Sequence, residues 1–162
     1  PYGRAKQAAG RAVCAEASPA CAPAWVRLFF QFGGDEAEGR LVPSVARALL
    51  AGEPALCTHG QQLRPFLHVD DVADGLVAIL HAPVTGIVNL AADDLHQVRE
   101  VIEGLAARLG RADLVRLGAR DSDEPPVLRA RVRRLREEVG WRPALTFAEA
   151  LDRTRAALDA FA

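Results

Sequence analysis

The run Trp-Val-Arg-Leu-Phe-Phe at residues 25–30 constrains the fold more than any other feature of the sequence. Aromatic and β-branched residues favour β-structure, and a short continuous apolar run is typical of a strand buried on both faces. Such a strand needs neighbours on both sides to pair with its backbone. Few other segments of the chain are long enough to serve. We therefore expect a sheet with more strands than this chain clearly supplies.

Segments with helical spacing alternate with short apolar segments along the chain. Residues 98–109 show the spacing best, with valine, isoleucine and leucine along one helix face and Gly110 at the end. Asp70 is well placed to cap a helix over residues 70–81. Further helices are predicted at residues 2–17, 42–51, 132–139 and 147–161, strands at 55–58, 65–69, 86–90 and 114–117, and loops at 33–39 and 121–126. The alternation predicts an α/β fold with a partly parallel sheet.

Composition and charge exclude several classes of protein. Half of the residues are hydrophobic, which argues against disorder, and 20 basic residues balance 21 acidic ones, which argues against a nucleic-acid partner. No run approaches the roughly 20 apolar residues of a membrane helix, and no signal peptide is visible. The three cysteines, Cys14, Cys21 and Cys57, lack the spacing of a disulfide framework or a zinc site. We expect a soluble, cytoplasmic protein without a membrane partner.

Tyr2 and Lys6 project from the same face of the first predicted helix, because they are four residues apart. A free phenol is only about 0.1% ionised at pH 7, too little for a general base. A neighbouring ammonium favours the phenolate, and an oxidised nicotinamide would favour it further. The spacing also occurs in ordinary surface pairs, but Lys6 is the only lysine in the chain. Tyr2 and Lys6 are therefore a candidate catalytic pair.

Motifs further along the chain give this pair a context. The most specific is Arg-Pro-Phe-Leu-His-Val-Asp-Asp-Val-Ala at residues 64–73. The others are Arg-Leu-Phe at 27–29 with Phe-Gly at 32–33, Leu-Val-Pro at 41–43, Gly-Glu-Pro at 52–54, Gly60, Val-Asn-Leu-Ala at 88–91 and Gly-Trp-Arg-Pro at 140–143. Together with Tyr-x-x-x-Lys, and in this order, they resemble the extended short-chain dehydrogenase/reductases, the family of NAD-dependent sugar-nucleotide epimerases and dehydratases.

The resemblance implies a hydride-transfer site at the start of the chain. Tyr2 would remove a proton from a sugar hydroxyl while hydride leaves for the nicotinamide of NAD or NADP. Lys6 would hold the cofactor ribose and favour the phenolate. Leu41 and Val42 would line the nucleotide pocket of a nucleotide-sugar substrate.

Three charged residues would hold the rest of that substrate, again by resemblance. Arg64 would face the diphosphate, which a guanidinium can bind with two hydrogen bonds. Arg120 with Glu124 would contact phosphate and nucleoside. A surface arginine that caps a strand is the alternative for Arg64.

The sequence also departs from the family pattern. Phe30 stands where the family usually has a substrate-contacting asparagine, Gly34 replaces a proline and Pro65 replaces an aspartate. These changes leave the particular sugar open. The glycine-rich dinucleotide turn and the catalytic serine or threonine, which precede the tyrosine in the family, are not in this sequence.

We therefore expect residues 1–162 to be the C-terminal half of an NAD(P)-binding Rossmann fold with a small substrate-binding domain. The substrate-binding segments would be residues 33–81 and 110–145, and the dinucleotide-binding half would be missing. The parent protein is expected to form a homodimer through the helix that carries Tyr2.

Two motifs are weaker candidates for chemistry. Residues 34–41 echo a phosphate-binding loop, but they lack its lysine and hydroxyl and carry acids that would repel phosphate. The run His68-x-Asp70-Asp71 is better explained as a helix start than as a metal site. No metal is expected, and His59, His81 and His96 receive no role.

The predicted function is NAD(P)-dependent epimerisation, dehydration or reduction of a nucleotide-diphosphate sugar, with the isolated chain inactive. Two alternatives stay open. One is a non-catalytic module for nucleotide-sugar binding or assembly that has lost the cofactor half. The other is a reductase of a non-sugar substrate such as a flavonoid or steroid, which would use the same tyrosine and lysine.

Overall fold

The computed structural model describes residues 1–18, 21–34 and 36–159 of the chain. The helices are α1 (Tyr2–Ala15), α2 (Leu41–Leu50), α3 (Val69–His81), α4 (Val98–Arg108), α5 (Arg133–Glu137) and α6 (Phe147–Asp159), with a 3₁₀ turn at Ala112–Leu114. The strands are β1 (Ala24–Leu28), β2 (Gln31–Phe32), β3 (Ala55–Leu56), β4 (Leu63–Arg64), β5 (Leu67–His68), β6 (Gly86–Leu90), β7 (His96–Gln97) and β8 (Val115–Arg116). Among these residues, no helix is both long and apolar enough to cross a membrane.

The longest strand pair is β1 with β6, which run parallel from Ala24 opposite Gly86 to Leu28 opposite Leu90. Shorter parallel pairs join β2 to β5 and β3 to β8, and β4 pairs with β7 in the antiparallel direction. Within the described part of the chain, β6 is the only strand that pairs with β1. On its other edge, the backbone N–H and C=O groups of β1 are therefore not paired with any strand of the described residues.

The core consists of two hydrophobic clusters. The first lies among α2, α4 and α6 and includes Leu49, Ile102 and Leu151. The second surrounds β6 and α3 and includes Val88 and Trp141. The helix α1 lies outside both, since Gly10 is its only buried residue. At Gly10 an added Cβ would come within 2.9 Å of the Trp25 ring, so this glycine allows α1 to pack closely on β1.

The predicted α/β fold with parallel strands is confirmed, and most predicted elements are found within two residues of their expected ends. The 25–30 strand is shorter than predicted because the chain changes partner. The Phe29 amide still donates to Leu90, whereas the Phe30 carbonyl accepts from Leu67 in β5. The predicted strand at 65–69 is reduced to β5, because Pro65 has no N–H to donate to a ladder and α3 begins at Val69. The strand β4, which was not predicted, ends at Arg64 just before this proline.

Two local predictions need correction. Asp70 does not cap α3; His68 is the N-cap, and its Nδ1 accepts a hydrogen bond from the Asp70 amide at 3.2 Å. Asp70 and Asp71 lie in the first helical turn, where carboxylates interact favourably with the helix dipole.

The strand β7 was not predicted, since its two residues carry no β-pattern. The predicted end of the last helix, residues 160–161, lies outside the described residues.

Candidate active site

Tyr2 and Lys6 share a cavity of about 600 Å³ between α1 and β1, here called the tyrosine cavity. It is lined by residues 2–4, 6–7 and 25–29. The Lys6 Nζ lies 5.7 Å from the centre of the Tyr2 ring, and the tyrosine is 76% exposed. The helix therefore presents the phenol and the ammonium together, open to an incoming molecule.

A second cavity, of about 290 Å³, begins at the residue that follows the last one lining the first cavity. We call it the arginine cavity; it is lined by residues 30–32, 36, 39–42, 58, 62, 64, 66, 98 and 124. Phe29 lines the tyrosine cavity and Phe30 lines the arginine cavity, so two consecutive residues line the two cavities. Of the residues implied by the family resemblance, Leu41, Val42, Arg64 and Glu124 all line the arginine cavity.

Arg64 is the most deeply buried charge in this cavity, with only 1% of its surface exposed. Its Nη1 donates to the Leu63 carbonyl at 2.9 Å, and its Nη2 donates to Glu124 Oε2 at 2.8 Å. The Phe30 ring centre lies 5.2 Å from the guanidinium carbon. The burial rules out the alternative of a surface arginine.

One donor of Arg64 is left without a partner. Its Nε is buried and makes no hydrogen bond within the described residues. A buried donor without an acceptor is costly, and one in a ligand cavity is commonly completed by the ligand. An anion with several oxygens would satisfy this atom.

Glu124 reaches Arg64 because residues 126–128 run beside β4. The Leu63 amide donates to Pro126 at 2.8 Å, and the Leu128 amide donates back to Leu63 at 3.1 Å. The Glu124 side chain is 58% exposed, so its carboxylate lies between the buried guanidinium and water.

Arg120 lies apart from this group. It lines a neighbouring cavity of about 170 Å³, together with Leu41, Cys57 and Thr58. Leu41 and Thr58 line both cavities, so Arg120 is adjacent to the arginine cavity without being part of its wall. The structure thus brings four of the five implied substrate residues together, with the fifth next to them.

Glu36 is a second carboxylate in the arginine cavity that the sequence did not point to. It accepts hydrogen bonds from the Gly33 amide at 3.3 Å and from Arg40 Nε at 3.5 Å. Burial raises the pKa of Glu36 above its ordinary value, and these two donors oppose the effect. The cavity therefore holds a carboxyl group that is harder to ionise than a surface glutamate.

Gln62 is the other residue that sequence analysis missed. It is only 2% exposed, and its Nε2 donates to Ser122 Oγ at 2.9 Å and to Thr58 Oγ1 at 3.4 Å. Its Oε1 has no partner among the described residues. The i, i+2 relation to Arg64 is the signal that could have found it, since alternate residues of an extended segment share a face.

Gly34, one of the departures from the family pattern, is explained by packing. A Cβ at this position would overlap the Cβ of Ala157 in α6. The loop after β2 can approach α6 only because position 34 carries no side chain.

Comparison with known proteins gives a consistent result. A family model described as the NAD dependent epimerase/dehydratase family matches residues 1–91. The chain is 27% identical over 132 residues to UDP-glucuronic acid decarboxylase 1 of Danio rerio, and the aligned region covers 79% of this chain and 31% of that protein. It is 28% identical over 137 residues to UDP-glucose 4-epimerase of Azospirillum brasilense, covering 71% of this chain and 39% of that protein. The chain thus spans about a third of the length of these curated relatives.

Solved structures agree on the fold. The structure of MoeE5 in complex with UDP-glucuronic acid and NAD superposes with a TM-score of 0.84 at 25% identity, covering 100% of this chain and 56% of that one. The structure of RMD from Pseudomonas aeruginosa complexed with NADPH gives a TM-score of 0.85 at 21% identity, covering 100% of this chain and 57% of that one. The Rossmann-type fold expected from the sequence is thereby established.

Proposed function

Because this chain belongs to the NAD dependent epimerase/dehydratase family, we propose that it carries the substrate side and the Tyr-Lys pair of an enzyme that acts on a nucleotide-diphosphate sugar. The reaction would be an epimerisation, dehydration or decarboxylation that begins with oxidation of a sugar hydroxyl, or the reduction of a keto-sugar by the reduced nicotinamide. Relatives named as a UDP-glucuronic acid decarboxylase and a UDP-glucose 4-epimerase support this substrate class.

The observation that carries the proposal is the environment of Arg64. A guanidinium that is 99% buried lines a cavity together with Leu41, Val42 and Glu124, and its Nε has no partner among the described residues. A diphosphate offers the several acceptor oxygens that such a group lacks. Leu41 and Val42 give the same cavity an apolar wall suited to a nucleoside.

The tyrosine cavity would hold the reacting sugar carbon and the nicotinamide end of NAD or NADP. The residues fit this group in part, since the Lys6 ammonium can donate to ribose hydroxyls and Tyr2 is open to the cavity. When bound, the cofactor supplies a hydride acceptor. Tyr2 would remove the proton from the sugar hydroxyl, and Lys6 would stabilise the resulting phenolate.

Several further assignments belong to the proposal. Residues 33–81 and 110–145 would form the substrate-binding part. The parent protein would be a homodimer through α1, which is exposed except at the buried Gly10 and the half-buried Cys14. It would lie in the cytoplasm, where its three free cysteines would stay reduced.

The diphosphate assignment is tested by titrating UDP into the chain in a calorimeter. We expect saturable binding that weakens at least tenfold in Arg64→Lys, because a lysine keeps the charge but loses the planar set of donors. Arg116→Lys is the matched control, since Arg116 is exposed and, within the described residues, its guanidinium donates only to the backbone carbonyls of Asp113 and Val115. Equal affinity of Arg64→Lys and the wild type would remove Arg64 from the site.

A further inference from the structure

A group of arginines lines a third cavity, away from the two already described. Five of the 20 basic residues of the chain lie within residues 129–136. Four of them line an open recess of about 470 Å³, here called the basic recess: Arg129, Arg131, Arg133 and Arg136, together with Asp93, Ala130, Val132 and Glu137. The basic recess shares no lining residue with the tyrosine cavity or the arginine cavity. A chain with a nearly balanced total charge thus concentrates positive charge at one place outside the proposed substrate site.

The core fixes the position of this segment. Ala130 and Val132 are buried in the cluster around β6 and α3, whereas Arg129, Arg131 and Arg133 are exposed. Small apolar side chains therefore hold the floor of the basic recess, and the arginines between them extend into solvent. The arrangement does not depend on contacts made by the arginine side chains themselves.

Two hydrogen bonds attach the same segment to the edge of β6. The Asn89 Nδ2 donates to the Arg131 carbonyl at 3.0 Å, and the Arg134 Nη1 donates to the Ile87 carbonyl at 2.8 Å. Arg131 contributes only its backbone to these bonds. Its guanidinium is left for another partner.

The charges of the basic recess are only half compensated within the fold. Arg133 lies 3.3 Å from Glu137, and Arg136 lies 2.6 Å from Asp93. The first two arginines of the segment, at positions 129 and 131, form no ion pair and no side-chain hydrogen bond among the described residues. Neighbouring positive charges repel each other, and a bound anion would relieve that repulsion.

The lining also indicates which kind of anion fits. A guanidinium binds phosphate through two parallel hydrogen bonds, and the volume lies in the range of small-molecule sites, roughly 300–1,000 Å³. No aromatic side chain lines the basic recess among the described residues, so a nucleobase would find nothing to stack on. The centre of a protein interface is usually apolar or aromatic, and here the apolar residues are buried. A compact ligand recognised by its charge alone fits best.

We propose that the basic recess binds a small anion with several linked phosphate groups, held by the guanidinium groups of Arg129 and Arg131. Two unpaired guanidinium groups match two or more phosphates, whereas a single phosphate would leave one of them uncompensated. Arg133 and Arg136 add positive charge around the ligand while they keep their own acid partners. The site is additional to the diphosphate site at Arg64 and does not rest on the proposed function.

The first test follows tripolyphosphate, a probe with linked phosphates and no base, by nuclear magnetic resonance. The Nε–H signal of each arginine reports its own environment during the titration. We expect saturable shifts at Arg129 and Arg131 that weaken with added salt. Shifts at Arg64 alone would place the ion in the arginine cavity, and linear shifts at all exposed arginines would show unspecific attraction. Either result would overturn the proposal.

The second test removes the two unpaired charges. We expect Arg129→Gln with Arg131→Gln to weaken tripolyphosphate at least tenfold in calorimetry, because charge-assisted hydrogen bonds are lost. Arg111→Gln with Arg142→Gln is the matched control: it removes the same total charge from two exposed arginines that form no ion pair among the described residues. The control should stay within about twofold of the wild type. Equal losses in the two double variants would contradict a specific site.

Further comparisons separate this inference from the proposed function. UDP should still shift the Arg64 Nε–H signal in the double variant of the basic recess, and Arg64→Lys should leave the tripolyphosphate shift of Arg129 unchanged. A wild type in which UDP shifts no Arg64 signal would overturn the proposed function alone. A hexaglutamate peptide that binds more tightly than tripolyphosphate would make the basic recess a docking surface for an acidic protein and overturn the small-anion site. Thermal unfolding checks that each variant is folded.

Discussion

At the scale of single residues, the site depends on how a buried positive charge is compensated. Arg64 has one carboxylate partner, Glu124, at 2.8 Å. Removing one partner of such a pair leaves the buried charge uncompensated, although the 58% exposure of Glu124 moderates the effect. The free energy of the folded state should therefore depend on Glu124 more than on a surface glutamate.

We expect Glu124→Gln to lower the free energy of unfolding by about 1–2 kcal/mol. Glu137→Gln is the control, because Glu137 and its partner Arg133 are 61% and 70% exposed, and such pairs contribute about 0–1 kcal/mol. Urea unfolding at neutral pH measures both. Equal effects of the two substitutions would show that Arg64 does not need its acid partner.

His68 gives the fold a predictable dependence on pH. Burial lowers the pKa of His68 below its ordinary 6.5, against the opposing charges of Asp70 and Asp71. As the pH falls through 6.5, His68 binds a proton in the unfolded chain but stays neutral in the folded chain. The free energy of unfolding therefore decreases until the pH reaches the lowered pKa of His68. Stability due to this group is therefore fully present above pH 6.5.

We expect His68→Asn to flatten this decrease, since asparagine keeps a helix-capping acceptor but does not titrate. Urea unfolding at pH 7.5 and pH 5.5 provides the comparison. His59→Asn is a close control: His59 Nδ1 also accepts from an amide two residues on, that of Gln61, but its side chain is exposed. A slope that persists in His68→Asn would assign the acid sensitivity to another group.

At the scale of elements, the turn before β4 depends on a glycine. Gly60 has a φ of +67°, and an added Cβ would lie 2.6 Å from the Arg99 Cβ and 2.9 Å from the Arg99 amide at the start of α4. For a residue with a Cβ, this positive φ alone costs about 1–2 kcal/mol. The close contact with the Arg99 backbone adds to that cost.

Gly52 allows the two effects to be separated. It has a φ of +73° but no atom within 4 Å of an added Cβ. We expect Gly52→Ala to lower the free energy of unfolding by about 1–2 kcal/mol and Gly60→Ala by clearly more, measured by urea unfolding. Equal losses would mean that α4 moves to accommodate the alanine.

The elements also show how far the sequence could predict the fold. Long periodic segments such as α3, α4 and β6 were located, because each buries one face through its own pattern. The end of β1 at Leu28 and the start of β2 at Gln31 were not, since they depend on a change of partner to β5, a segment almost 40 positions away. Two-residue strands such as β7 carry no pattern of their own and exist only through their partner.

At the scale of the whole molecule, the open edge of β1 is the most consequential feature of the fold. Unpaired backbone groups on an edge strand are a template for association. We expect the chain to associate with increasing concentration in analytical ultracentrifugation, and Leu28→Lys, at a half-exposed position on β1, to weaken the association. Leu80→Lys, an 81% exposed position on α3, is the control. A monomer at all concentrations would contradict this expectation.

The candidate site is also a property of the whole molecule. The motif around Arg64 could be found in the sequence because it is local, and the family resemblance supplied Glu124. The contact between Gln62 and Ser122 could not be found, since 60 positions separate the two residues and neither belongs to a recognisable motif. Burial of individual atoms could not be predicted from the sequence either. Only the structure shows that Arg64 and Gln62 each have a buried polar atom without a partner among the described residues.

The central claim is that Tyr2 performs proton transfer in an NAD-dependent conversion of a nucleotide sugar. It is tested most directly on the full-length parent protein, wild type and Tyr2→Phe, by measuring turnover of UDP-glucose and UDP-glucuronic acid with NAD. We predict that Tyr2→Phe loses at least 100-fold in turnover while NAD affinity stays within about twofold, because general acid–base catalysis contributes about 10²–10⁴. Equal turnover by the two proteins would contradict the account.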